Sequence, residues 1–226
     1  MRKAGYLILI ITGIWTILFV GNKQPAGEGE VPLKVNGGRL PAQLSEQSIS
    51  VKVKTLNDTA EEFLADGRMQ LYSSDLEFIQ ENSDQIVGIR FRSVHIPRGA
   101  NVVKSYIQFT VDEVGRDPTY LTFCGELSAD SAPFQRMNYD ISGRPQTIAK
   151  VDWLPEPWLK SGDRGSAQRS SDLSVILSEI VAQKEWRAGN AVSFIVNGTG
   201  KRVASSAKRD KGVNAPVLHV WFTGQN

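Results

Sequence analysis

The chain has 226 residues, with 26 Lys+Arg, 24 Asp+Glu and one cysteine. Two of the basic residues, Arg2 and Lys3, precede an apolar leader; the remainder of the chain balances at 24 of each sign, which excludes the general attraction to phosphate backbones expected of a nucleic-acid binder. A lone Cys124 excludes an internal disulfide, so the domain must hold together by burial.

The leader comes first in the chain. Residues 4–21 carry no charge and are rich in Leu, Ile and Val, with Trp15 among them. A positive start followed by an apolar run is an export signal, which places the remainder outside the cytoplasm. As a helix, 18 such residues span roughly 27 Å against a hydrocarbon core of about 30 Å. The small residues that signal peptidase requires are poorly placed, since Phe19 or Gln24 falls where one is needed. The segment 1–21 therefore reads as an uncleaved signal anchor that contacts the membrane through residues 4–21; cleavage and secretion is the alternative. Residues 22–47 come next, with Pro25, Pro32, Pro41 and Gly37-Gly38 and few large apolar side chains, the composition of a flexible tether.

From residue 48 to 226 the pattern is alternation. Ile49, Val51 and Val53 interleave with polar residues, and so do Val87, Ile89 and Phe91. Val103, Ile107, Phe109 and Val111 line one face of the next run, and Leu121, Phe123 and Leu127 line one face of another. Cys124 lies within that last run and reads as a small buried hydrophobe. Further strands are expected over 148–153, 191–196, 201–205 and 216–222. Many short strands separated by turn signals such as Pro97-Arg98-Gly99 and Asn197-Gly198 predict an all-β fold, an antiparallel β-sandwich of one domain. One stretch breaks the alternation. Leu173, Ile176, Leu177, Ile180 and Val181 form a helical stripe, predicting an amphipathic helix around 172–184 with Ser171 and Asp172 as caps and Trp186 closing the seam.

Catalytic chemistry finds no support. There is no Gly-x-Ser-x-Gly, and His95 and His219 lack partners at metal-ligand spacing. Gly198-Thr199-Gly200-Lys201 lacks the first glycine of a phosphate loop and has Arg202 at its Ser/Thr position, so it reads as a turn. The carboxylate pairs Asp75/Glu77 and Asp112/Glu113 read as solvated charges. The aromatic inventory is more suggestive. Trp153-Leu154-Pro155-Glu156-Pro157-Trp158 is a proline-braced loop with an indole at each end, and Trp153 and Trp158 are the expected sugar-docking platform.

The strings Ala60-Glu61-Glu62, Asp66-Gly67, Ser73-Ser74-Asp75-Leu76-Glu77, Gly88-Ile89-Arg90-Phe91, Ile96-Pro97-Arg98-Gly99-Ala100 and Trp186-x-x-Gly189-Asn190 carry a resemblance. Over most of the exported part, the chain resembles DNRLRE-type and galactose-binding-like jelly-roll domains of secreted bacterial proteins. That resemblance implies a jelly roll that serves as a glycan binder or as a fibre or wall-attachment unit.

Six carboxylates, Asp58, Glu61, Glu62, Asp66, Asp75 and Glu77, crowd the start of the domain, and a structural calcium ion is expected among them. The resemblance points the same way, since such jelly rolls often hold calcium near the first strand. The expected function is a non-catalytic, extracytoplasmic, membrane-tethered module binding a polysaccharide or cell-surface protein, with no nucleic-acid partner. The alternative is an assembly subunit pairing through its sheet edges.

Overall fold

The computed structural model describes residues 45–80 and 84–224. These lie within one compact unit, residues 43–226. The signal segment 1–21 and nearly all of the tether lie outside the described residues. No described helix is long and apolar enough to cross a membrane.

In chain order the strands are β1 (Glu46–Lys52), β2 (Thr59–Phe63), β3 (Met69–Leu71), β4 (Asp75–Ile79), β5 (Gln85–Phe91), β6 (Asn101–Gln108), β7 (Val111–Glu113), β8 (Tyr120–Glu126) and β9 (Gln146–Trp153). The helix α1 (Ser174–Val181) then precedes β10 (Val192–Thr199), β11 (Lys201–Ser205) and β12 (Val217–Thr223). Three sheets result, ordered β1-β12-β6, β3-β2-β5-β10-β8-β9 and β4-β11-β7, and all their strand pairs are antiparallel. The mostly-β, antiparallel expectation holds. Residues of all three sheets and of α1 share one core, in a sandwich-like arrangement.

The six-stranded sheet is covered on both faces, which explains why β5 is buried at every position. One face meets the main core. The other carries a smaller cluster of Ala60, Leu71, Ile86, Cys124, Phe134, Ile141 and Ile195, with Phe134 and Ile141 supplied by the long β8–β9 connection. Gly88 makes room for this cover, because a Cβ there would stand 2.5 Å from the Phe134 ring. Cys124 is buried as expected, and burial pushes its thiol pKa up, so it stays protonated and unreactive.

Two register details differ from simple alternation. Val103, expected on the core face, is 46% exposed, because a bulge opposite Trp221/Phe222 turns Val102 inward in its place. Leu127 is likewise exposed, since β8 shifts register between Cys124 and Glu126 and ends there. The helix has the predicted stripe, with all five apolar residues fully buried, but it is shorter than 172–184. Asp172 does act at its start, accepting the Ser174 N–H at 2.9 Å. Trp186 closes the seam by donating its indole N–H to the Ile96 carbonyl at 2.9 Å.

Two outer strands are finished rather than left open. Along β6, the Ser105 N–H donates to Asp172 Oδ1 and the Ile107 N–H to Ser170 Oγ, both at 2.9 Å, while Ser170 and Leu173 donate back to the β6 carbonyls. At β9 the N–H groups of Ile148 and Ala149 both donate to the Glu179 carboxylate of α1 at 2.9 Å.

Candidate functional site

The expected platform of Trp153 and Trp158 is not a surface. Trp153 is 5% exposed and Trp158 is fully buried, so neither offers a ring face to a ligand. The sequence Trp-Leu-Pro-Glu-Pro-Trp faces inward because its backbone is pinned. Trp158 exchanges backbone hydrogen bonds with Gly115 and donates its indole N–H to the Ala167 carbonyl. Trp153 stacks on Phe109 with ring centroids 5.6 Å apart. The buried Arg202 donates to the carbonyls of Pro155 and Glu156, both at 3.3 Å. The loop exposes Leu154 instead, which lines an open cleft of about 380 Å³ with Tyr120 and Pro118.

The six carboxylates are also dispersed. Asp58 is buried and ion-paired, with Oδ1 2.6 Å from Arg90 Nη1 and Oδ2 3.4 Å from Arg92 Nε. Glu61 and Glu62 are neighbours on β2, so they point to opposite faces and cannot share an ion. Glu61 accepts the backbone N–H of Glu77, while Glu62 accepts those of Ile141 and Ser142, each at 2.8 Å. Asp66 is exposed and accepts the Arg68 N–H at 3.0 Å. Asp75 accepts from Ser73 Oγ at 2.6 Å, and Glu77 lies 3.9 Å from Lys201 Nζ. Among the described residues no three His, Cys, Asp or Glu side chains come together as a metal-binding group. Asp58 and Glu62 are instead structural acceptors, holding Arg90, Arg92 and the β8–β9 cover in place.

A row of aromatic side chains does occur, on the outer face of the β1-β12-β6 sheet. Leu218, Val220 and Phe222 of β12 point into the core, so alternation turns His219 and Trp221 outward. His219 pairs with Tyr106 of β6 and Ser50 of β1, and Trp221 pairs with Lys104 and Ser48. The three rings are each half-buried. Their centroids lie 5.0 Å (Tyr106–His219), 5.7 Å (Tyr106–Trp221) and 6.3 Å (His219–Trp221) apart, with interplanar angles of 31°, 31° and 24°. The three rings thus form a contiguous triangle of tilted planes.

Cations lie over these rings. Lys104 Nζ lies 5.9 Å from the Tyr106 centroid and 5.8 Å from that of Trp221. The Arg169 guanidinium lies 5.0 Å from the Tyr106 centroid and is steadied by donating Nε–H to Gln108 Oε1 at 2.9 Å. Arg164 adds its charge near His219. Both arginines come from the β9–α1 connection, the stretch that buried Trp158 anchors.

Burial lowers the His219 pKa from its usual 6.5, and the positive charges of Arg164 and Arg169 lower it further. Its Nδ1 is 2.8 Å from Ser50 Oγ, one hydrogen bond whose direction follows the tautomer. A histidine with a lowered folded-state pKa stabilises the fold above its unfolded value of 6.5, and that contribution is lost as pH falls through the folded value. The ring proton resonance of His219 should therefore titrate below pH 6.5 by NMR, and Arg169→Ala should move the midpoint upward. An unchanged midpoint would mean that the Arg169 charge does not reach the ring.

Sequence reasoning passes over this row in favour of the louder Trp-Pro loop. The signal is present all the same: the alternation Leu218-His219-Val220-Trp221-Phe222 assigns His219 and Trp221 to the face away from the core. Compared with known proteins, the chain matches no protein-family model and no curated protein sequence.

Proposed function

We propose that this chain is a non-catalytic, extracytoplasmic glycan-binding module, held at the membrane by residues 4–21, with Tyr106, His219 and Trp221 as its contact face. The jelly-roll description and the resemblance to secreted bacterial sugar-binding domains belong to the same reading. The observation that carries it is the contiguous, half-buried group of three rings, tilted 24–31° to one another, on the outer face of this sheet. Sugar rings present C–H faces that pack against aromatic planes, while neighbouring polar groups fix their orientation. Ser48, Ser50 and Lys104 stand directly beside the rings in the strand register.

The alternative is an assembly subunit that pairs through sheet edges; the finishing of β6 and β9 opposes it at those two strands, while β1, β3, β4 and β7 are also outermost in their sheets. Residues 168–173 and the Glu179 carboxylate already occupy hydrogen-bonding groups that an added strand would need.

The test is affinity electrophoresis of the full-length protein through gels containing a panel of polysaccharides. At least one should retard the wild type, and Trp221→Ala should abolish that retardation while the protein still unfolds in a single cooperative transition. Retardation unchanged by Trp221→Ala would remove this face from consideration, and no retardation by any polysaccharide would overturn the glycan reading.

A further inference from the structure

Three cations converge on the aromatic row. Lys104 and Arg169 lie within 6 Å of its ring centroids, and Arg164 acts on His219. Among the described residues no carboxylate lies within 4.0 Å of any of the three, whereas Arg90 and Arg144 in the interior are each paired with acids. All three are exposed, so their stems can lie along the rings while the charged heads stay in water. The outward positions of this sheet, from Glu46 to Lys52 on β1, Val217 to Thr223 on β12 and Lys104 to Gln108 on β6, include a single acid, Glu46. Glu46 pairs with Thr223, at the far end from Tyr106. The β9–α1 connection that supplies Arg164 and Arg169 also carries Glu156, Asp163 and Asp172, but Asp172 is engaged by the Ser105 N–H and none of these acids is ion-paired with Lys104, Arg164 or Arg169.

Resting on the glycan reading above, we infer that the ligand is an anionic polysaccharide whose sugar rings lie on Trp221 and Tyr106 while its acidic groups meet Lys104, Arg164 and Arg169. The two parts have separate jobs. Ring contact is indifferent to charge, whereas guanidinium and ammonium groups recognise carboxylate or sulfate through charge-assisted hydrogen bonds. The same positive field that lowers the His219 pKa would be offset by a bound anion.

The experiment measures binding of full-length protein to polygalacturonate, dextran sulfate, neutral dextran and single-stranded DNA, at low salt and at 0.5 M NaCl. We expect polygalacturonate or dextran sulfate to bind at least tenfold more tightly than neutral dextran, with the advantage shrinking at high salt. The double variant Lys104→Ala/Arg169→Ala should lose that advantage and keep its fold, because both side chains are exposed. The single variant Trp221→Ala should weaken the anionic and neutral glycans alike. Equal or tighter binding of a neutral glycan would overturn the anionic assignment and leave the glycan reading standing. An anionic preference that survives the double variant would also overturn it. DNA binding as tight as that of the acidic glycans, lost in the double variant, would make nucleic acid the occupant and overturn both readings. Failure of every polysaccharide to bind would likewise overturn both.

Discussion

Arg144→Ala should cost about 3–5 kcal/mol of stability, read as a lowered midpoint in urea unfolding. The Arg144 side chain is 9% exposed, and those of Glu126 and Asp140 are 9% and 10% exposed. Its guanidinium bridges the two carboxylates at 2.7 and 3.0 Å and also donates to the carbonyls of Ala132, Pro133 and Asp140. It lies 4.4 Å from the Phe134 ring centroid as well. One side chain thus ties the start, middle and end of the β8–β9 cover to β8. Removing it strands two nearly buried carboxylates, and an uncompensated buried charge is far costlier than the net worth of the pair. The double variant Arg144→Met/Glu126→Gln should recover part of the loss, because it withdraws one of the stranded charges. A loss below about 1 kcal/mol for Arg144→Ala would mean that the cover does not depend on this network.

Trp158→Ala should be comparably severe, about 3–5 kcal/mol, since a fully buried indole leaves a large cavity. Trp158→Phe should retain more than half of what is lost, by keeping most of the ring volume. A loss under about 1 kcal/mol would contradict the burial of this side chain. The effect should also reach the surface. Trp158 holds Ala167 and Gly115, and so steadies the connection that carries Arg164 and Arg169 to the aromatic row. The His219 midpoint should therefore rise in Trp158→Ala, in the same direction as in Arg169→Ala.

The regular parts of the fold are legible in the sequence where periodicity acts alone. Lys201–Ser205 is β11, and the stripe from Leu173 to Val181 is the buried face of α1. The segment 56–79 is less legible, since its acids suggest a shared calcium site rather than separate buried acceptors. In the structure it holds β2, β3 and β4. Glu61 and Glu62 are buried because each accepts backbone N–H groups from a distant part of the chain, a pairing that local sequence cannot show. The Trp-Pro loop misleads for a related reason. Partners distant in the chain pin it inward: Gly115 exchanges backbone hydrogen bonds with Trp158, and Arg202, more than 40 residues further on, donates to the Pro155 and Glu156 carbonyls. Conversely, the immediate neighbours Val220 and Phe222 suffice to place Trp221 outside.

The cover along β6 has a temporal consequence. Residues 168–173, which satisfy that strand, are synthesised about sixty residues after β6 itself. At about 5–20 residues per second, a nascent chain spends on the order of 3–12 s with β6 made and its cover still missing. Its other partner, β12, is the last of the described strands. During that interval both sides of β6 are bare backbone, an adhesive ribbon in a chain that is still growing. The finished molecule resists strand addition at β6, but the growing one acquires that resistance only after residues 168–173 and β12 have been made.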